Sequence, residues 1–449
     1  MRQNLYSVFA NNLGSLYNPT QVHRQGNGTR TTTKETPVSS SNTRKVRQTS
    51  SYGALDHYDF NTGPTEEFGD LPETLSSIKN IGWTLGNDCP YRCHHCYSMS
   101  ARRKGQNMSL SMIDRIISQL SLNGVKTVNL GGNEPLFTNG PNPKNTLLPY
   151  IISQLVNSDI KVGLTTSGIT LLYLFEHHRD AFDLLNDVDI SFDSPYENEH
   201  NQNRGAKLYH QAIRSLEICQ EYNKSHTCIM AGMNWNFSID HLSQMVILAK
   251  QYGANIRINP IKPVEPKHLQ IALSPDMYYA GFAFLMEVCQ SIDLGEPPIA
   301  AVTNYQHAKR CPCGRTSFRI HSITPDGGVY ISPCVYLHDY KSPLNLLEFD
   351  LVEIINSPQF RVFRQRNANP EIIEGCNQCS LLAQCGGGCA ARSYLHHVHE
   401  TGTRSMLARD PYCPIRVNPS FPFPQNPLLD NHETLVHMDY LCTWIGKPK

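Results

Sequence analysis

The sequence predicts an α/β fold, a partial (β/α)6 TIM-like barrel followed by a smaller cysteine-rich domain. Three observations predict it. Strand-like and helix-like segments alternate six times between residues 76 and 300. The strands are near-continuous runs of Val, Ile and Leu, as expected of strands covered on both faces. Beyond residue 300 the long periodic segments give way to glycines and closely spaced cysteines. The expected divisions are a polar N-terminal segment (1–75), the barrel (76–300), the cysteine-rich domain (301–415) and a Pro-rich tail (416–449).

Taken in order, residues 1–75 include "QGNGTRTTTKETPVSSSNTRKVRQTSS", mildly basic and almost without apolar side chains. Such a stretch buries too little surface to offset its ordering entropy, so it reads as a solvated, disordered segment. "IGWTLG" (81–86) is the first strand. "SLSMIDRIISQLSLNG" (109–124) sets Ile113, Ile116, Ile117 and Leu120 at helical spacing, with Ser109 or Ser111 as cap and Gly124 as stop. Strands follow at 126–132, 161–168, 188–193, 226–233 and 255–261, and helices at 146–158, 169–185, 206–222, 239–252 and 275–293. Repeated strand–helix units imply parallel pairing through right-handed crossovers. Reactive groups then belong at the C-terminal ends of the strands. In the tail, "TLVHMDYLCTWIG" (434–446) reads as a short closing helix.

Composition excludes several functions. Lys plus Arg equals Asp plus Glu, 39 each in 449 residues. A net charge of zero offers nothing to a nucleic-acid backbone or an anionic membrane. No apolar run reaches the roughly 18 residues of a membrane span. The N-terminus has no apolar stretch behind basic residues, so a cytoplasmic location is expected. Fifteen cysteines in a reducing compartment then point to metal rather than to disulfides.

The densest group is "CPYRCHHCYS" (89–98), directly after the first strand. Cys89, Cys93 and Cys96 supply three thiols, whereas a structural zinc site normally takes four ligands. His94 or His95 could complete a zinc site only by reaching back within a tight loop. Three thiolates suit a [4Fe–4S] cubane with one iron left open for a chelating ligand.

This Cys-x3-Cys-x2-Cys loop after the first strand of a βα barrel resembles the radical S-adenosylmethionine (SAM) superfamily. The resemblance implies that the open iron takes the amino and carboxylate groups of the cofactor's methionine, and that reductive cleavage yields a 5′-deoxyadenosyl radical. The family usually has an aromatic before the last cysteine; here His95 stands there, with Tyr97 following. "LGGNEPLF" resembles the family's Gly-Gly-Glu motif at the end of the second strand, with Asn133 inserted. It implies cofactor contacts from Gly131, Gly132, Asn133 and Glu134. By the same resemblance Ser167 ends the third strand as a polar contact. "SFDSPYENEHNQNRG" brings Ser191, Asp193 and Arg204 toward the ribose or carboxylate, and Asn259 is a weaker candidate.

"CNQCSLLAQCGGGC" reads Cys376-x2-Cys379-x5-Cys385-x3-Cys389. Taken alone this could be a zinc ribbon. Its spacing resembles the SPASM extension of radical SAM enzymes, which carries auxiliary clusters. The resemblance assigns Cys376, Cys379, Cys385 and Cys413 to one cluster. It assigns Cys313, Cys334 and Cys389 to another, with Cys311 as fourth ligand. The implied total is three [4Fe–4S] clusters with SAM. Cys219, Cys228, Cys289 and Cys442 fall in helical or strand patterns and read as buried core thiols. The histidines of "YLHHVHE" (394–400) read as a solvated helix face.

SPASM enzymes mostly modify peptides, so the resemblance implies a maturase of a ribosomal precursor peptide, by backbone excision or crosslinking. Its expected partners are that peptide, a separate leader-recognition protein or the basic N-terminal segment, and an electron donor such as flavodoxin or ferredoxin. Sulfatase maturases carry an acidic base directly after the second SPASM cysteine, where this chain has Val335; Tyr336, Asp339 and Tyr340 lie nearby. The rivals are a radical enzyme acting on a small molecule, an iron–sulfur electron-transfer protein and a zinc-stabilised binding module.

Overall fold

In the computed structural model the described residues are 75, 78–99, 101–303, 311–338, 340–425, 435–438 and 440–449. The expectations for residues 1–74, including a peptide-binding role for the basic segment, and for Asp339 lie outside them.

Six parallel strands form the barrel wall: β1 (Asn80–Leu85), β2 (Thr127–Gly132), β3 (Lys161–Thr166), β4 (Asp187–Ser191), β5 (Ser225–Gly232) and β6 (Asn255–Pro260). Register runs continuously from Ile81 opposite Val128 to Ile229 opposite Arg257. Both faces are covered, and every residue of β1 and β4 is buried.

The outer layer comprises α1 (Leu110–Leu122), α2 (Leu148–Asn157), α3 (Ile169–His177), α4 (Arg179–Asp183), α5 (Glu197–Arg204), α6 (Tyr209–Glu221), α7 (Ile239–Gln251) and α8 (Pro275–Val288). Helix α1 starts where Ser109 Oγ accepts the Met112 N–H at 3.3 Å. It buries Ile113, Ile116, Ile117 and Leu120, each contributing about 1.5–3 kcal/mol. Two segments differ from the sequence pattern. The 169–185 helix breaks at His178 into α3 and α4. The end of the 275–293 helix is instead strand β7 (Cys289–Leu294).

The larger difference is at the C-terminus. The described part of 434–446 is turn and strand, and β10 (Trp444–Pro448) lies antiparallel between β6 and β7. A short apolar run fits either period, and the gap between two strand edges decides for pairing. On the far side, β8 (Ser317–Ile320) pairs parallel to β1, and β9 (Ile331–Ser332) pairs antiparallel to β8. Both ends of the sheet are thus built from chain beyond the six units.

Before β10 the chain passes through the barrel. A Cβ on Gly82 would stand 1.4 Å from Tyr440 Oη, and one on Gly163 would stand 2.9 Å from Val436 Cβ. These strands carry glycine because the returning segment fills the space. His437 fastens it: Nδ1 donates to Asp187 Oδ2 at 2.8 Å, and Nε2 lies 3.3 Å from Asp189 Oδ2. The Val436 N–H reaches Asp187 Oδ1 at 2.9 Å, and Arg257 pairs with Asp189.

The cysteine-rich region is fixed to the barrel by a second buried network. Arg392, on helix α9 (Ala390–Thr401), meets Asp410 through Nε at 2.9 Å and Nη2 at 2.7 Å. Its Nη2 also lies 2.6 Å from Glu296, which accepts from Tyr278 Oη at 2.9 Å.

Burial raises the Asp187 carboxyl, but hydrogen bonding and charge from His437 more than offset this and leave it below its ordinary value. A depressed carboxyl stabilises the fold above its unfolded value, near pH 4, and loses that contribution as pH falls through the folded value. Asp187→Asn should therefore lower Tm at neutral pH and flatten the acid limb of the Tm–pH profile, read by circular dichroism.

Candidate functional site

The β1–α1 loop opens with Gly86, whose positive φ and close approach to the Glu134 carbonyl leave no room for a Cβ. The loop then turns Cys89, Cys93 and Cys96 into a cleft of about 1160 Å³, open mouth included, at the C-terminal end of the barrel. Arg102 ties the loop by donating to the carbonyls of Cys89 at 2.8 Å and Tyr91 at 3.0 Å. Burial pushes the Cys93 thiol up to about 12, against the pull of Arg204, and raises Cys89 as well.

The structure brings most of the expected residues to this cleft: Tyr97, Gly132, Asn133, Glu134, Ser167, Ser191, Arg204 and Asn259 line it with the three cysteines. Their roles differ. A Cβ on Gly132, at φ +96°, would stand 2.0 Å from Arg319 Nη2. Gly131 does not line the cleft; a Cβ there would meet Thr165 at 3.1 Å. Glu134 accepts from the Ser167 N–H (3.0 Å) and Oγ (2.6 Å) and from the hydroxyls of Thr166 and Thr170. Its carboxylate is therefore a brace between the ends of β2 and β3. Asn133, the inserted residue, accepts from Ser98 Oγ at 2.8 Å and leaves its own buried Nδ2 without an acceptor. A buried amide donor left open beside three thiols favours a ligand with an acceptor oxygen.

Asp193 lies beneath the cleft wall. It pairs with Arg204 Nε at 2.6 Å and accepts from Asn203 Nδ2 at 2.9 Å. Burial opposes its ionisation, yet Arg204 and His95 hold it well below the carboxylate range. Asn203 Nδ2 also contacts His95 Nδ1 at 2.9 Å. Burial lowers the His95 pKa, so this side chain offers the cleft a neutral imidazole.

Among the cleft residues that sequence reasoning missed, three carry charge or a hydroxyl to the side facing the cysteine-rich half. Arg319 on β8 reaches Tyr440 Oη at 3.3 Å and the Gly131 carbonyl at 3.5 Å. Lys262, 1% exposed, donates to Asn259 Oδ1 at 2.8 Å and lies 5.1 Å from the Tyr336 ring centre. Tyr440 arrives on the returning segment. The usable signals were single cations inside apolar runs, "SFRIHSI" and "INPIKPV". Tyr97 turns toward the cysteine-rich half, 5.0 Å edge-on to Tyr336.

The remaining expected cysteines form two groups. Cys311, Cys313, Cys334 and Cys389 share one buried cluster. Cys376, Cys379, Cys385 and Cys413 form the other; burial and thiol neighbours push Cys376 up to about 11, and burial with the nearby Asp410 carboxylate pushes Cys385 up to about 12. His396 is buried in α9 and His399 donates to the Pro263 carbonyl at 2.6 Å, so that run is not wholly a solvated face.

Residues 83–243 match the family model of the radical SAM superfamily, and residues 311–380 match that of SPASM, an iron–sulfur cluster-binding domain. The chain is a radical SAM enzyme with a SPASM domain. Mycofactocin maturase MftC of Mycobacterium ulcerans is 26% identical over 332 residues, 70% of this chain and 83% of that one. An uncharacterized protein of Archaeoglobus fulgidus is 28% identical over 346 residues, 72% and 76% of the two chains. Two solved structures share the fold at 15% identity. Streptococcus suis SuiB bound to precursor peptide SuiA has a TM-score of 0.54 over 76% of each chain. The anSMEcpe complex with AdoMet and the Kp18Cys peptide has a TM-score of 0.56 over 74% of this chain and 94% of that one. No helix among the described residues is long and apolar enough to cross a membrane.

Arg204→Leu leaves the Asp193 carboxylate buried and unpaired, and should destabilise the enzyme by about 3–5 kcal/mol. Arg204→Leu with Asp193→Leu should recover much of that loss in chemical denaturation. A purely cofactor-binding role for Arg204 predicts no such recovery.

Proposed function

We propose that this enzyme holds a radical-generating [4Fe–4S] cluster on Cys89, Cys93 and Cys96 and uses SAM to modify a ribosomal precursor peptide. The carrying observation is three thiols, one short of a cubane's corners, in one cleft with the open Asn133 amide. When bound, the cluster and SAM supply reductive cleavage to a 5′-deoxyadenosyl radical that abstracts hydrogen from substrate.

The chain's own residues bind, orient and shield. Asn133 Nδ2 donates to a cofactor oxygen, and Ser98 holds that amide in orientation. Ser191 and Arg204 supply polar contacts at the cleft wall, where Arg204 is itself fixed by Asp193. Lys262 and Arg319 bring positive charge against an anionic centre; neither has a carboxylate within 4 Å among the described residues. Tyr97, Tyr336 and Tyr440 line the side facing the SPASM cysteines.

A peptide substrate is supported by the open cleft and by the maturase relatives. Val335 presents an apolar side chain to the cleft where sulfatase maturases carry an acid, which favours excision or crosslinking over sulfatase-type oxidation. Two auxiliary clusters complete the cofactors: Cys376, Cys379, Cys385 and Cys413 hold one, and Cys313, Cys334 and Cys389 hold three corners of the other. Electrons come from a flavodoxin- or ferredoxin-type donor in the cytoplasm. Leader binding falls to a separate protein or to the N-terminal segment.

Anaerobically reconstituted, reduced enzyme should convert SAM to 5′-deoxyadenosine, and Cys93→Ala should abolish this while leaving auxiliary iron in place. Asn133→Ala should weaken SAM binding about tenfold, the size of one hydrogen bond, with unchanged iron content. With a perdeuterated precursor peptide encoded beside the gene, deuterium should enter 5′-deoxyadenosine and the peptide mass should change. Cleavage with no deuterium transfer and no mass change would overturn the peptide assignment.

A further inference from the structure

Cys442 reads in sequence as a buried core thiol, and it is buried, but among other cysteines rather than in the barrel core. Cys219, Cys228 and Cys289 belong to the aliphatic core of the barrel. Cys442 instead joins Cys311, Cys313, Cys334 and Cys389, with Tyr336, Tyr340, Tyr440 and Phe363 packed around them. It is 2% exposed. Cys311 and Cys389 act most strongly on the Cys442 thiol, Cys313 acts on Cys311, and Cys334 acts on Cys313, so these side chains are neighbours in the cluster. Five thiols thus share one nest, and a cubane has four irons.

We propose that Cys442 is the fourth ligand of the auxiliary cluster whose other corners are Cys313, Cys334 and Cys389. This rests on the radical SAM/SPASM reading above and adds a ligand from outside the SPASM motif.

Three features carry it. First, five buried thiols share the nest while a cubane takes four, so one of them is surplus. Cys311 is only two residues from Cys313, a spacing that strains two bonds to one cubane. Second, Cys442 is positioned independently of the cysteine-rich domain. Two residues later Trp444 pairs with Ile258 of β6 and Leu294 of β7, and its Nε1 donates to Ser291 Oγ at 2.9 Å. Third, Lys262 Nζ lies 3.4 Å from the Cys442 carbonyl oxygen. A buried ammonium there offsets the negative charge of a thiolate-ligated cluster. Loading is not a redox step: each thiol gives up its proton as its sulfur–iron bond forms. The cluster would then staple the chain's C-terminus, the barrel and the SPASM domain together.

The test uses full-length protein carrying Cys89→Ala, Cys93→Ala and Cys96→Ala, so that only auxiliary clusters remain. Mössbauer spectra with iron and sulfide analysis would be compared for this parent and for added Cys442→Ser or Cys311→Ser. In Cys442→Ser, auxiliary iron should fall by about half, or one iron of that cluster should take non-thiolate parameters. Cys311→Ser should match the parent. The persisting signal of the Cys376 group reports that the Cys442→Ser chain is folded. A Cys442→Ser spectrum identical to the parent, or a change in Cys311→Ser alone, would overturn the assignment. A parent without iron–sulfur signals would overturn the SPASM cluster reading, and this inference with it.

Discussion

The architecture depends on the return of the chain's end into the barrel. Asp187 and Asp189 sit on a buried strand, where two carboxylates need compensating partners. His437 and Arg257 supply them. That clamp seats Val436 and Tyr440 against Gly163 and Gly82 and delivers Trp444 between β6 and β7. Without it the barrel would lack both an interior filling and a partner for the β6 edge.

From this clamp the site follows. Tyr440 meets Arg319, which presses on Gly132, which ends the strand next to the cysteine loop. The open Asn133 amide is held by Ser98, two residues from Cys96. The cleft is therefore assembled from three distant parts of the chain, and the Arg392–Asp410–Glu296 network keeps the SPASM half in place against the last of them. Cleft side chains that are already paired, such as Glu134 and Arg204, organise the walls. The unpaired amide and the thiols remain for a ligand.

Much of this was legible in sequence. The six strand–helix units declared themselves through buried aliphatic runs, and the cysteine spacings marked both iron–sulfur regions. Periodicity carries little information about what closes a sheet, so β7, β8 and β10 went unread or were read as helix. Cys442 and Tyr440 were hidden for the same reason, since a lone residue in an ambiguous run carries no spacing. Glu134 shows another limit: a motif names the residue, but four donors from β3, its following turn and the start of α3 decide what the carboxylate does.

The proposed radical cluster leaves one coordination position open, because the barrel mouth offers three thiols to four irons. The most direct measurement is electron–nuclear double resonance on the reduced full-length enzyme with SAM labelled at the methionine amino nitrogen and carboxylate oxygen. Hyperfine coupling from both labels is expected, and its loss in Cys93→Ala. A reduced cluster on intact cysteines that shows no coupling to either label would contradict the open position.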